Sequence, residues 1–141
     1  MDSKDVFIKH VAQTSPFPLK IEVEKAEGTY IFDKEGKKYF DLISGIAVTN
    51  IGHRHPKVVA AIKEQVDKYL HVMAYGEFVQ DSQNGLAKEL AKLLPSTLDC
   101  CYFVNSGTEA IEGALKLAKR VTERTEIISC HKSYHGSTHG S

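Results

Sequence analysis

Apolar positions along this chain change period three times, and each change marks a different kind of element. From Leu19 to Val23 apolar and charged residues alternate, the period-two signature of a strand with one face covered. Two aromatic-rich runs follow, Tyr30-Ile31-Phe32-Asp33 and Lys38-Tyr39-Phe40-Asp41-Leu42, separated by the turn-forming Lys34-Glu35-Gly36-Lys37. They predict a β-hairpin. After Gly52-His53-Arg54-His55, Pro56 can open a helix without losing a hydrogen bond. Val59, Ile62, Val66, Tyr69 and Leu70 then recur at helical spacing. A second helix is predicted from about Ser82 to Leu94, with Leu86, Leu90 and Leu93 on one face and Pro95 ending it. Amphipathic stripes of this kind are expected to pack into a core.

The period changes again at Cys100-Cys101-Tyr102-Phe103-Val104, a continuous apolar run of the sort found in strands buried on both faces. It ends at Asn105-Ser106-Gly107-Thr108-Glu109, and Ile111, Ala114, Leu115, Ala118 and Val121 predict a helix of about four turns. Glu126-Ile127-Ile128-Ser129-Cys130 predicts a second strand. Strand, helix, strand at this spacing is a βαβ unit with parallel strands and a right-handed crossover. The fold class expected is α/β.

Composition adds mainly exclusions. The 141 residues are 42% hydrophobic and 26% charged, an ordinary globular balance. Eighteen basic residues match eighteen acidic ones, so no excess positive field points to nucleic acid or an anionic membrane. No apolar run approaches the roughly 20 residues that span a bilayer. The charged opening Met1-Asp2-Ser3-Lys4-Asp5 does not resemble a signal peptide, and the expected compartment is the cytoplasm. Three cysteines, with Cys100 and Cys101 adjacent, form neither a disulfide framework nor a C-x-x-C pair and are expected to be reduced and buried.

The candidate chemistry lies at the carboxyl edge of the predicted parallel strands, where ligands of α/β sheets bind. Ser106-Gly107-Thr108 opens a helix there, with free N–H groups, the positive dipole end and two hydroxyls, a combination that binds phosphate. Ser106-x-x-Glu109 also reads as a capping box that only satisfies the helix end. The motif by itself supports both readings. Neither a Walker A loop nor a G-x-G-x-x-G fingerprint is present, so the phosphate would not belong to an ordinary nucleoside triphosphate or dinucleotide. Tyr134 offers an aromatic face at the same edge, beside His135, whose ring can exchange a proton near neutral pH. For Tyr134 a buried packing role is the competing reading. His131, His135 and His139 recur every four residues, but Gly136 and Gly140 oppose the helix that would align them, so no metal site is expected. His53-x-His55 has no partner cluster and is read as a helix-start or packing feature.

The run from Phe103 to Arg120, Phe103-Val104-Asn105-Ser106-Gly107-Thr108-Glu109-Ala110 and onward, followed by Ser133-Tyr134-His135-Gly136, resembles the class III pyridoxal-phosphate aminotransferases, the acetylornithine, ornithine and 4-aminobutyrate group. Gly36 to Val48 and Gly52-His53-Arg54-His55-Pro56 are similar to the same family's amino-terminal region, in the family's order. The resemblance implies the amino-terminal part of a fold-type I transferase. Residues 1–55 would join a small domain as its hairpin segment, and 56–141 would supply linking helices and the first βαβ unit of a large parallel or mixed sheet. It implies pyridoxal 5'-phosphate as cofactor, with Ser106, Gly107 and Thr108 on its phosphate, Tyr134 stacked on its ring and His135 beside it. Ser44, Gly45, Ile46, Ala47 and Val48 would lie near the substrate entrance at a homodimer interface. The implied substrates are an ω-amino acid and a 2-oxo acid.

Two departures bear on the substrate. Ser137 and Thr138 stand where the family often has arginine after the aromatic-His-Gly motif, and residues 71–78 differ from the usual acetylornithine pattern. The Schiff-base lysine, the aspartate facing the ring nitrogen and a carboxylate-binding arginine are all expected beyond Ser141, so the chain is read as an amino-terminal fragment, inactive alone. Lys132 is the one internal lysine close to the proposed crevice and is read as a solvated loop residue. The competing functions are a same-fold aminomutase or decarboxylase, and a non-catalytic module that keeps the cup as an anion-binding or dimerisation surface.

Overall fold

The computed structural model describes residues 2–73 and 75–141; Met1 of the charged opening and Ala74 of the 71–78 segment lie outside them. The chain divides into two units, Met1–Ala74 and Tyr75–Ser141.

The first unit begins with α1 (Ser3–His10), closed by a capping box in which Asp2 accepts from the Asp5 N–H at 2.7 Å and Asp5 reaches back to the Asp2 N–H. Three antiparallel strands follow in the order β1 (Val23–Glu27), β2 (Tyr30–Asp33) and β3 (Lys38–Phe40). The expected hairpin is β2–β3, with Ile31 opposite Tyr39. The third strand exists but begins at Val23, where Leu19–Val23 was expected to end it. Its position is set by the two-residue connection Gly28-Thr29, which pairs Glu27 with Tyr30. Gly28 adopts φ 57°, the sign a tight hairpin turn requires.

Asp33 is the single buried residue among those described, and it organises the β2–β3 turn. Its Oδ1 accepts from the N–H groups of Glu35 (3.0 Å) and Lys37 (2.8 Å), and its Oδ2 accepts from the Tyr39 hydroxyl at 2.8 Å. These bonds, the Tyr39 hydroxyl foremost, hold its carboxyl below the usual carboxylate range. Beyond the sheet, α2 (Ser44–Ala47) is a single left-handed turn, and α3 (Pro56–Lys68) starts on Pro56 as expected. Tyr69 is extended, so α3 stops before the Tyr69 and Leu70 that the spacing had included.

The second unit holds α4 (Asp81–Leu93) and α5 (Gly107–Thr122), and both follow their predicted stripes. Residues 100–104 and 126–130, expected as parallel strands, carry no ladder hydrogen bonds. A strand exists only as part of a ladder, and a parallel pair is stable only inside a sheet covered on both faces. Neither segment has such a neighbour among the described residues, and Ile128 is 99% exposed.

The same reason corrects two expectations about burial. No apolar side chain among the described residues is buried, because only the strands pack on one another. Ile62 and Val66 of α3, Leu86 and Leu93 of α4, and Leu117 and Val121 of α5 stand exposed. The stripes are real, and nothing among the described residues covers them. Cys100 and Cys130 are exposed and Cys101 half-buried, all three as free thiols, where burial was expected.

The Asp33 geometry generates a test. Asp33→Ala should accelerate amide hydrogen exchange at Glu35 and Lys37, while Asp33→Asn, which keeps one carbonyl acceptor, should be milder. The lowered carboxyl means this anchor is fully present above the ordinary aspartate pKa and is lost as pH falls through the folded value. Acidification should therefore loosen the hairpin in the wild-type chain and leave the Asn variant unchanged, as read by NMR shifts of the two amides.

Candidate functional site

In the second unit the site grows from the start of α5. Ser106 adopts an extended backbone and caps the helix, its Oγ accepting from the Glu109 N–H at 3.2 Å. Glu109 does not reach back to Ser106 but accepts from the Asn105 N–H at 2.7 Å, so the box closes one residue earlier than its pattern. The N–H groups of Gly107 and Thr108 have no acceptor among the described residues, as helix geometry dictates for the first turn. A Cβ at Gly107 would meet nothing within 4 Å.

Thr108 faces a second segment. Its Oγ1 accepts from the Ser137 N–H at 3.2 Å, which leaves the hydroxyl proton free to donate elsewhere. Ser137 Oγ in turn pairs with the Tyr134 hydroxyl at 2.8 Å. The structure thus joins Thr108 to the loop bearing Tyr134 and His135 across 29 residues of sequence. Tyr134 is 79% exposed among the described residues. His135 is exposed at the same loop, and Lys132 occupies an exposed turn at φ 61°. Two free N–H donors at a helix start, a hydroxyl proton beside them and an accessible aromatic face can together hold an anionic group attached to a flat ring. Among the described residues no cluster of His, Cys, Asp or Glu is arranged for a metal ion.

In the first unit, Ser44, Gly45, Ile46 and Ala47 all have φ between 48° and 65°, and Val48 returns to right-handed values. Left-handed backbone costs about 1–2 kcal/mol per L-residue, so a run through the β-branched Ile46 needs an external hold. Asp41 provides it. Its Oδ1 accepts from the Ser44 N–H at 2.8 Å and the Ile43 N–H at 3.1 Å, while its Oδ2 pairs with His53 Nε2 at 2.7 Å. His53 is itself pinned to Gly28 by two backbone bonds, 2.7 and 3.1 Å. The Ser44 N–H first and His53 second hold the Asp41 carboxyl below its ordinary range. Sequence reasoning read His53 as a helix-start or packing feature and missed Asp41; the twelve-residue separation offers no periodic signal, although an Asx pattern at Asp41-x-x-Ser44 was available.

The aminotransferase class-III family model matches residues 11–141. The chain belongs to the class-III aminotransferase family. An acetylornithine aminotransferase of Bacillus amyloliquefaciens is 45% identical over 121 residues, covering 84% of this chain and 50% of that protein. Among solved structures, the adenosylmethionine-8-amino-7-oxononanoate aminotransferase of Methanocaldococcus jannaschii superposes with TM-score 0.88 at 29% identity, over 96% of this chain and 33% of that one. The taurine:2-oxoglutarate aminotransferase of Bifidobacterium kashiwanohense, solved in complex with PLP and glutamate, gives TM-score 0.81 at 37% identity, over 94% and 30%. The chain therefore spans between a third and a half of the length of its relatives or slightly less. Its fold is part of a fold-type I PLP transferase of the α/β class, and the class-III family's cofactor is pyridoxal phosphate.

The left-handed turn held by Asp41 should titrate with it. Because Asp41 is held below its ordinary value, its grip is complete above that value and is lost as pH falls through the lowered one. The amide proton shifts of Ile43 and Ser44 should move together in that acid range, and Asp41→Asn should abolish the step.

Proposed function

We propose that the intact protein is a pyridoxal-phosphate-dependent aminotransferase that moves an amino group from an ω-amino acid, of the acetylornithine, ornithine or 4-aminobutyrate type, to a 2-oxo acid. The observation carrying this reading is the pair of unpartnered N–H groups at Gly107 and Thr108, beside a Thr108 hydroxyl that accepts from the Ser137 N–H, while Ser137 Oγ pairs with the Tyr134 hydroxyl. The bound cofactor would supply the electron sink for bond changes at the amine carbon. Ser106, Gly107 and Thr108 would hold its phosphate through main-chain N–H groups and the free Thr108 proton. Tyr134 would stack on the ring and fix its plane, its hydroxyl tied to Ser137. His135 would stand beside the ring, and Ser44 to Val48 would shape the substrate entrance as a rigid turn.

The acetylornithine donor is favoured by the 45% identity to a relative of that name, and other amino compounds by the names of the solved neighbours. On the same reading residues 1–55 belong to a small domain and 56–141 to linking helices and the cofactor domain. The lysine that would carry the cofactor is taken to lie outside these residues, since Lys132 is solvent-exposed. A homodimer would use part of the exposed apolar stripes. A cytoplasmic setting fits the three free thiols, and among the described residues no helix is long and apolar enough to cross a membrane.

Cofactor titration of the intact protein tests the site. Replacing Gly107 with Val should obstruct the approach, and Thr108→Ala should weaken binding by about 1.5–3 kcal/mol, the worth of a hydrogen bond to a charged acceptor. Unchanged affinity in both variants would sink the phosphate assignment. Tyr134→Phe should be mild and Tyr134→Ala should lose about 1 kcal/mol or more, because the ring face carries the contact.

A further inference from the structure

Thr108 and Glu112 are four residues apart on α5 and therefore share one face of the helix. The loop after Tyr134 runs along that face. Ser137 bonds Thr108, and one turn further on a single carboxylate oxygen, Glu112 Oε1, accepts both from the Thr138 hydroxyl at 2.5 Å and from the Gly140 N–H at 3.0 Å. Ser141 Oγ closes the loop by accepting from the Thr138 N–H at 3.1 Å.

The seating is close. A Cβ at Gly140 would lie 2.8 Å from Glu112 Oε2 and 3.0 Å from Oε1. One at Gly136 would collide with Thr108 Oγ1 and Ser141 Oγ, and Gly136 has φ 153°, where side chains are disfavoured. Gly136 thus combines a backbone that disfavours side chains with no room for one, and Glu112 is half-buried beneath the loop.

We infer that Glu112 is a positioning residue: through one carboxylate oxygen it sets where the Tyr134 loop stands against the helix start, and so where the ring platform stands relative to the phosphate donors. The inference rests on the cofactor reading of those donors. It assigns Glu112 no contact with cofactor or substrate. The two bonds from residues 138 and 140 hold the far end of the loop, while Ser137 on Thr108 holds its middle. Without Glu112 the loop keeps only the Thr108 contact, one neutral hydrogen bond, and Tyr134 loses its fixed height above the helix end. Because a single oxygen takes both bonds, a glutamine carbonyl can accept them in its place, more weakly than the charged carboxylate does.

The test uses the intact protein and two readouts. In the cofactor-free protein, Glu112→Ala should speed amide exchange at Ser137 and Gly140 by about tenfold or more, the effect of losing hydrogen bonds to a charged acceptor. Glu112→Gln should restore most of the protection, and Thr138→Val should give an intermediate loss. In cofactor titrations Glu112→Ala should weaken pyridoxal-phosphate binding severalfold and alter the circular dichroism of the bound chromophore, with Gln again close to wild type. Unchanged exchange in the Ala variant, or a Gln variant as impaired as Ala, overturns the inference. Unchanged cofactor affinity and dichroism in Glu112→Ala, with Thr108→Ala still damaging, also overturns it and leaves the phosphate reading standing. Faster exchange in Glu112→Ala, together with indifference of cofactor binding to Gly107 and Thr108, upholds the anchoring and removes the phosphate reading instead.

Discussion

Carboxylate oxygens accepting hydrogen bonds from the chain's own backbone hold four irregular segments of this structure. Asp33 folds the hairpin turn, Asp41 holds the left-handed turn, Glu109 closes the start of α5 and Glu112 receives the loop after Tyr134. The shared reason is stereochemical: an ionised carboxylate has several lone pairs and no donors, so one side chain satisfies two or three N–H or O–H groups that a turn leaves unpaired. Three of these four, Asp33, Asp41 and Glu112, are held below their ordinary carboxylate range by those bonds. Local geometry and ionisation therefore depend on each other.

Such anchors position segments but do not supply a core. Each hydrogen bond exchanges for one with water, and its net contribution is small beside the entropy of ordering a loop. The apolar stripes of α3, α4 and α5 carry the larger driving force, which is realised only when another apolar surface covers them. In the solved relatives this chain corresponds to about a third of the polypeptide.

The left-handed turn shows how backbone strain is held. Four consecutive residues with positive φ, three of them carrying side chains, are held between the end of β3 and the His53–Gly28 bridge. Such strain persists only where surroundings over-determine it, and it tends to gather at binding sites. The α5 start follows a different logic, since its donors are free by helix geometry and need no strain. The family relationship adds the cofactor class, whereas the amino donor is not a property of the fold: relatives of one architecture are named for acetylornithine, taurine and adenosylmethionine.

Periodicity and turn chemistry in the sequence were enough to determine the β2–β3 hairpin, the start of α3 at Pro56, helices α4 and α5, and the Ser106 cap, because each depends on residues within one or two turns of each other. The motif around Ser106–Glu109 and Tyr134–Gly136 likewise carried the family resemblance, which the family match over residues 11–141 bears out. What tertiary structure alone decided are the contacts between distant residues: Asp41 with His53, Thr108 with Ser137, and Glu112 with Thr138 and Gly140. Neither alternation nor helical spacing encodes a pairing across 12 to 29 residues. The strands expected at 100–104 and 126–130 mark the same boundary from the other side. Their apolar sequences express a preference for a buried sheet, but a ladder requires a neighbouring strand, and pairing is a property of two segments rather than of one.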